Sequence, residues 1–293
     1  MITENNIEFY ALIVLYNPED SIYLKNIKSL LELNIKVIIY DNSTSIEKIN
    51  DNQKNIFKIS KDIYFFHNNA NNLGLSYAFN DAITRLNYLQ DHDAIFIFDQ
   101  DSIITTESIA FLIESFKDLI NISDFGMLAG FPLRKNGEPY RVRKLKTASF
   151  NHLVKVYQIP SSYSLIPMRT FRKIGNFEKD DNNYSLRFVQ NNLNIFIDVR
   201  AKFIHDIGLG DVMFFNKFLF PYSTPDRHYY QTRNLILSYK RYNLGDFKLI
   251  KKLGIRCIII GYIGITKGNL FKRLNYMFRG IRDGINNKGG KLI

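Results

Sequence analysis

Four short runs of apolar, β-rich residues, each stopped abruptly by polar side chains, constrain this chain more than any other feature. Residues 9–16 end at Asn17-Pro18, residues 35–40 at Asp41-Asn42-Ser43, residues 62–66 at the turn-rich stretch from Asn68 to Gly74, and residues 94–98 at Asp99-Gln100-Asp101-Ser102. Runs of this length bounded by turn signals read as strands buried on both faces. Between the first two, Ile22, Leu24, Ile27, Leu30, Leu31 and Leu33 recur at mainly helical spacing, with Lys25, Lys28 and Glu32 among them. Residues 75–89 and 107–120 read as helices too. Strand, helix and strand within about 30 residues form a βαβ unit, and such units build parallel sheets. The expectation is an α/β fold with a mixed, mostly parallel sheet flanked by helices. Further strands are expected at 126–131, within 156–166 and at 194–204, with a charged hairpin or loop at 134–146. From about residue 226 the pattern turns helical and basic, so a sheet domain is expected over 1–225 and a helical extension over 226–293.

The chain has 293 residues, 46% of them hydrophobic, enough for a substantial core. Cys257 is the single cysteine, which excludes an intrachain disulfide and fits a reducing compartment. Residues Met1 to Asn6 lack the basic start and apolar stretch of a secretory signal, so a cytoplasmic protein is expected. The net charge of +11 is unevenly spread: from Asp246 onward there are eleven Lys/Arg against two acids, +9 in that segment alone.

Ligands of open α/β sheets bind at the carboxyl ends of the strands. Tyr16-Asn17, Asp41-Asn42-Ser43 and Asp99-Gln100-Asp101 all lie there in this reading. Two carboxylates at i and i+2, where the chain turns after a buried strand, can surround one hard cation such as Mg²⁺ or Mn²⁺, together with substrate phosphates. A helix-capping turn uses the same residue types, so the spacing alone does not separate the two.

With these motifs in order, the chain resembles the family 2 glycosyltransferases of the GT-A fold, and within them the rhamnosyltransferase-like group that assembles bacterial surface polysaccharides. The resemblance is carried by Leu15-Tyr16-Asn17-Pro18, Asp41-Asn42-Ser43, Asn72-Leu73-Gly74-Leu75 with Ala78 and Asn80, and Phe98-Asp99-Gln100-Asp101-Ser102. It continues through His205-Asp206-Ile207-Gly208 and Arg227-His228-Tyr229-Tyr230-Gln231-Thr232-Arg233-Asn234.

The resemblance implies a nucleotide-sugar donor, with Tyr16, Asn17, Asn72 and Gly74 around it and Asp41 bonded to the base. It implies Asp99 near ribose and metal, Asp101 as a direct metal ligand, and His205 completing the site of a divalent cation, Mg²⁺ or Mn²⁺. Asp180-Asp181-Asn182-Asn183-Tyr184-Ser185-Leu186-Arg187 matches the spacing of the family's acidic pair before a short helix. Asp181 is then the general base of an inverting transfer, with Asp180 its neighbour; Asn183 stands where the family often has an acid. Arg227 and Arg233 are candidate donor-binding residues. The implied reaction moves a sugar, rhamnose from dTDP-rhamnose by preference, or a hexose or galactofuranose from a UDP donor, onto a saccharide acceptor of the O-antigen or capsule type. Such acceptors are carried on a membrane lipid diphosphate.

Basic residues interleaved with Ile, Leu, Phe and Tyr over 246–293 suit a segment lying on an anionic membrane at the inner face of the cell membrane; a helical subdomain with a solvated basic face is compatible with it. A nucleotidyl- or phosphotransferase is disfavoured because no G-x-x-x-x-G-K loop occurs. A nucleic-acid-binding protein is disfavoured because the charge is confined to one end and no recognition motif accompanies it.

Overall fold

The computed structural model describes residues 7–140, 144–147, 152–159, 161–178, 184–205, 208–214 and 218–290. They form two compact units, one of the described residues through His205 and one of those from Gly208 onward.

The first unit alternates strands and helices: β1 (Phe9–Leu15), α1 (Ile22–Glu32), β2 (Lys36–Asp41), α2 (Ile46–Phe57), β3 (Tyr64–His67), α3 (Leu75–Arg85), β4 (Ala94–Asp99), α4 (Thr106–Leu119) and β5 (Phe125–Leu133). It continues with β6 (Lys144–Thr147), β7 (Leu153–Val156), β8 (Ser164–Pro167), α5 (Met168–Ile174), α6 (Tyr184–Gln190) and β9 (Asn194–Ile204). The strands form one sheet in the order β3-β2-β1-β4-β8-β5-β9-β7-β6. The pairings from β3 to β4 and between β5 and β9 are parallel, and β8 and β7 run against the rest. The sheet is therefore mixed, with most strands pointing one way.

Hydrophobic burial explains the middle of this sheet. Tyr10 to Leu15 and Ala94 to Phe98 are buried on both faces, one side packing with α1 and α4 residues and the other with α3 residues. Register then brings the polar strand ends together: Leu15 lies opposite Asp41, and Val14 opposite Asp99.

Helix α2 was not read from sequence, because its inward face is Ile49, Asn52 and Ile56, a thin apolar seam interrupted by an amide. Ser45 caps it by accepting from Lys48 N–H, and Thr105 caps α4 by accepting from Ser108 N–H. Within 156–166 lie the end of β7 and the start of β8.

The second unit contains an antiparallel ribbon, β10 (Asp211–Phe214) with β11 (Phe218–Pro221), and helices α7 (Pro225–Arg241), α8 (Asp246–Lys267) and α9 (Leu270–Ile285). The ribbon groups with the helices because Tyr262 of α8 packs edge-on against Phe214 and donates to Met213 O.

His228 of α7 is 3% exposed, and its Nε2 accepts from Arg273 at 2.9 Å. Burial, with the cations of Arg273 and Arg256, pushes its pKa down from 6.5 to about 4. Below pH 6.5 the unfolded chain therefore takes up a proton that the folded helix refuses, so stability falls as pH drops from 6.5 towards 4. Melting temperatures measured across this window should fall more steeply for the natural chain than for His228→Gln, whose amide oxygen can still accept from Arg273; equal slopes would refute this.

Candidate active site

The carboxyl ends of β1, β2 and β4 converge, and the loop after β4 is fastened to the end of β9. Ile103 and Ile204 exchange two backbone hydrogen bonds, of 2.8 and 3.0 Å, and Asn26 Nδ2 donates to Ser102 O. That bridge carries His205, the residue after β9, to the side of the Asp99-Gln100-Asp101 turn.

Asp99, Asp101 and His205 each offer a ligand atom, and these atoms all lie within 4.8 Å of one another. His205 Nε2 is 3.6 Å from Asp99 Oδ2, and its Nδ1 is 4.0 Å from Asp101 Oδ1. Opposite ligand atoms of a six-coordinate Mg²⁺ or Mn²⁺ lie about 4.2 Å apart, so small side-chain shifts close these three around one ion. His205 Nδ1 is 3.0 Å from Ser102 Oγ. With Nδ1–H donating to that hydroxyl, Nε2 keeps its lone pair for a metal, the arrangement in which an outer partner orients a ligating histidine.

Burial pushes the Asp99 carboxyl above its ordinary pKa, and Asp101 adds to the shift, while His205 and the Ser162 hydroxyl pull it back. A dication would relieve both the desolvation and the repulsion between the acids. The residue types, their spacing and their electrostatics fit a hard divalent cation.

The rest of the edge is a network of amides and hydroxyls. Gln100 clamps Tyr16 through both backbone groups, accepting from its N–H at 2.7 Å and donating to its carbonyl at 3.3 Å. Tyr16 itself is half exposed. Asn17, in the left-handed region at φ 42°, donates from its N–H to Ser43 Oγ and pairs through its side chain with Thr44. Asp41 is fully buried, and its two oxygens accept from Ser43 N–H at 2.9 Å and Asn52 Nδ2 at 2.7 Å. Asn72 Oδ1 accepts from Asn42 Nδ2 and from Gly74 N–H, while Gly74, at φ 95°, starts α3. A side chain at Gly74 would be strained in that conformation.

Asp180 and Asp181 lie outside the described residues. The chain is anchored on either side of them: Asn80 exchanges two hydrogen bonds with Phe177, Ser76 donates to Glu178 O, and Arg187 of α6 reaches Asn176 O and Glu178. Arg227 and Arg233 belong to the second unit. Arg227 is exposed on the first turn of α7, whereas Arg233 is fully buried and donates to Asn234 Oδ1 and Gly290 O.

Sequence reasoning missed three supporting residues. Ser162 donates to Asp99 Oδ2 at 2.5 Å, Ser102 orients His205, and Asn52 holds Asp41. Only Ser102, inside the acidic motif, had a local signal; the other two reach the site through strand pairing and helix packing.

Comparison with known proteins agrees with this geometry. The family model described as glycosyl transferase family 2 matches residues 10–182. The dTDP-rhamnosyl transferase RfbF of Shigella flexneri is 26% identical over 299 residues, covering 96% of each chain. Among solved structures, GalNAc-T7 with UDP, GalNAc and Mn²⁺ superposes with a TM-score of 0.57 at 13% identity. That match covers 69% of this chain and 44% of the other, so this chain spans under half of its length. The mannosyltransferase PcManGT from Pyrobaculum calidifontis, in complex with GDP-Man and Mn²⁺, superposes with a TM-score of 0.56 at 7% identity over 96% of this chain and 88% of that one. At such identities the structural likeness establishes the fold, which is the GT-A fold read from sequence.

Proposed function

This chain belongs to glycosyl transferase family 2, and from that premise we propose that it is an inverting rhamnosyltransferase acting in bacterial surface polysaccharide assembly. It is a glycosyltransferase that uses a nucleotide-sugar donor. The observation that carries the finer reading is the meeting of Asp99, Asp101 and His205 at the carboxyl edge of the sheet, from segments about a hundred residues apart. The preference for dTDP-rhamnose is supported by the end-to-end likeness to a dTDP-rhamnosyl transferase.

In this reading Asp99, Asp101 and His205 hold a divalent cation, which when bound neutralises charge on the leaving diphosphate. Asp41 and the Tyr16-Asn17 turn shape the nucleotide end of the pocket, with Asn72 and Gly74 as further donor contacts. Asp181, with Asp180 beside it, takes the proton of the acceptor hydroxyl. The acceptor oxygen bonds to the anomeric carbon as that carbon's bond to the diphosphate oxygen breaks, so one displacement inverts the configuration. The acceptor is a saccharide on a lipid diphosphate at the inner face of the cell membrane. No helix among the described residues is long and apolar enough to cross a membrane.

The test is a panel of dTDP-rhamnose, UDP-hexoses and UDP-galactofuranose offered to the purified full chain with Mg²⁺ or Mn²⁺, reading release of the nucleoside diphosphate. dTDP-rhamnose should exceed the others in kcat/KM by about tenfold or more, a margin within reach of pocket contacts. A UDP sugar as the best donor would overturn the rhamnose assignment and leave the family standing.

A further inference from the structure

A helix on the surface of a globular unit normally buries its apolar side and shows a polar one. Helices α8 and α9 do not. On α8, Ile260, Ile263 and Gly264 are buried, yet Phe247, Ile250, Ile258 and Ile265 are 81, 66, 62 and 74% exposed. At 100° per residue these four lie on one stripe, opposite the buried side. On α9, Met277, Gly280 and Gly284 are buried while Phe271, Phe278 and Ile285, each seven residues from the next, are 85, 56 and 57% exposed. With Ile255, eight of the nineteen exposed large apolar residues among the described ones fall within these two helices, a concentration rather than scatter.

Cations border the stripes: Lys248 and Lys251 on α8, Lys272 and Arg282 on α9. Of the two acids in these helices, Asp283 is buried and bonded to Tyr229 and Arg282, leaving only Asp246 at the surface. That sign decides what covers the patch. A second copy would bring like cations together across a two-fold axis. A nucleic acid would meet the cations but leave the phenylalanine and isoleucine stripes wet.

We propose that the outward faces of α8 and α9 seat in the headgroup layer of an anionic lipid bilayer, with the stripes at the acyl boundary and the lysines and arginines among the phosphates. α8 is about 33 Å long at 1.5 Å per residue, but it is not apolar enough to cross, so it lies in the membrane plane. The inference rests on the reading that the acceptor is lipid-borne, and it supplies the surface that would hold the enzyme where such an acceptor is found.

The test uses the full chain and sedimentation with vesicles of phosphatidylcholine, either alone or with about a third replaced by phosphatidylglycerol. Binding should be at least about tenfold stronger to the anionic vesicles and fall in roughly 0.5 M salt. The pairs Phe271→Gln/Phe278→Gln and Ile250→Gln/Ile258→Gln should each weaken binding by about tenfold or more, with melting temperature and donor hydrolysis unchanged because these side chains are exposed. Equal binding to both vesicles, or wild-type binding by both pairs, overturns the proposal. So does a dimer that the phenylalanine pair dissociates in a protein that ignores vesicles, which would assign the patch to a second copy. Donor hydrolysis without lipid reads the transferase assignment separately: its absence beside intact vesicle binding would count against that assignment and leave this surface supported.

Discussion

Replacing Asp101 with alanine should lower sugar transfer and donor hydrolysis by about a thousandfold, the scale of losing metal stabilisation of a leaving diphosphate, while the melting temperature stays unchanged. The two halves of this expectation have separate causes. The Asp101 side chain is 56% exposed, and His205 Nδ1 lies 4.0 Å from it, beyond hydrogen-bond reach, so the fold loses little when it is cut back. Its position beside Asp99 and His205 nevertheless makes it one of three ligand atoms converging on one point. Asp99 is a poorer probe, because it is less exposed and accepts a hydrogen bond from Ser162, so its removal disturbs the pocket as well as the ion. Nucleoside diphosphate release, Mn²⁺ titration by calorimetry and thermal melting on the same preparation check the prediction. Wild-type turnover in Asp101→Ala would rule out the metal site.

Arg233→Ala should destabilise the helical unit by about 3 kcal/mol, the cost of several buried partners losing a charged donor. Arg233 is fully buried, its Nε donates to Asn234 Oδ1 at 2.9 Å, and its guanidinium lies 5.3 Å from the ring centres of both Tyr229 and Tyr230. Lysine should restore only part of the loss, since an ammonium cannot reproduce the planar fork. The experiment is denaturant unfolding paired with the KM for the donor. A large loss of stability with little change in KM assigns Arg233 to the interior of α7. Unchanged stability with a raised KM assigns it to the donor pocket, the role its motif implies.

The close approach of α9 to α7 is another feature that pairwise sequence motifs do not convey. A Cβ at Gly280 would stand 2.5 Å from Tyr229 O, and one at Gly284 2.9 Å from Ile236 Cβ. Four residues apart on α9, these glycines admit the neighbouring backbone. Read alone, they are two weak helix formers in a basic tail.

Local physical chemistry made much of this protein legible in its sequence. Continuous apolar runs long enough for a buried strand, each ending in polar residues, determined β1, β2 and β4 and put Asp41, Asp99 and Asp101 at their ends. The spacing of apolar residues determined α1, α3 and α4, and the uneven charge marked the tail. Tertiary structure alone decided the rest, because strand order, register and helix packing join residues far apart in the chain. The bridge between Ile103 and Ile204 sets His205 beside the acids. Packing of α2 gives Asp41 its partner Asn52, and the antiparallel pairing of β4 with β8 sets Ser162, two residues before β8, beside Asp99. Only packing could show which side of α8 and α9 is covered: both sides carry apolar residues, and a sequence period cannot tell the side facing protein from the side left bare.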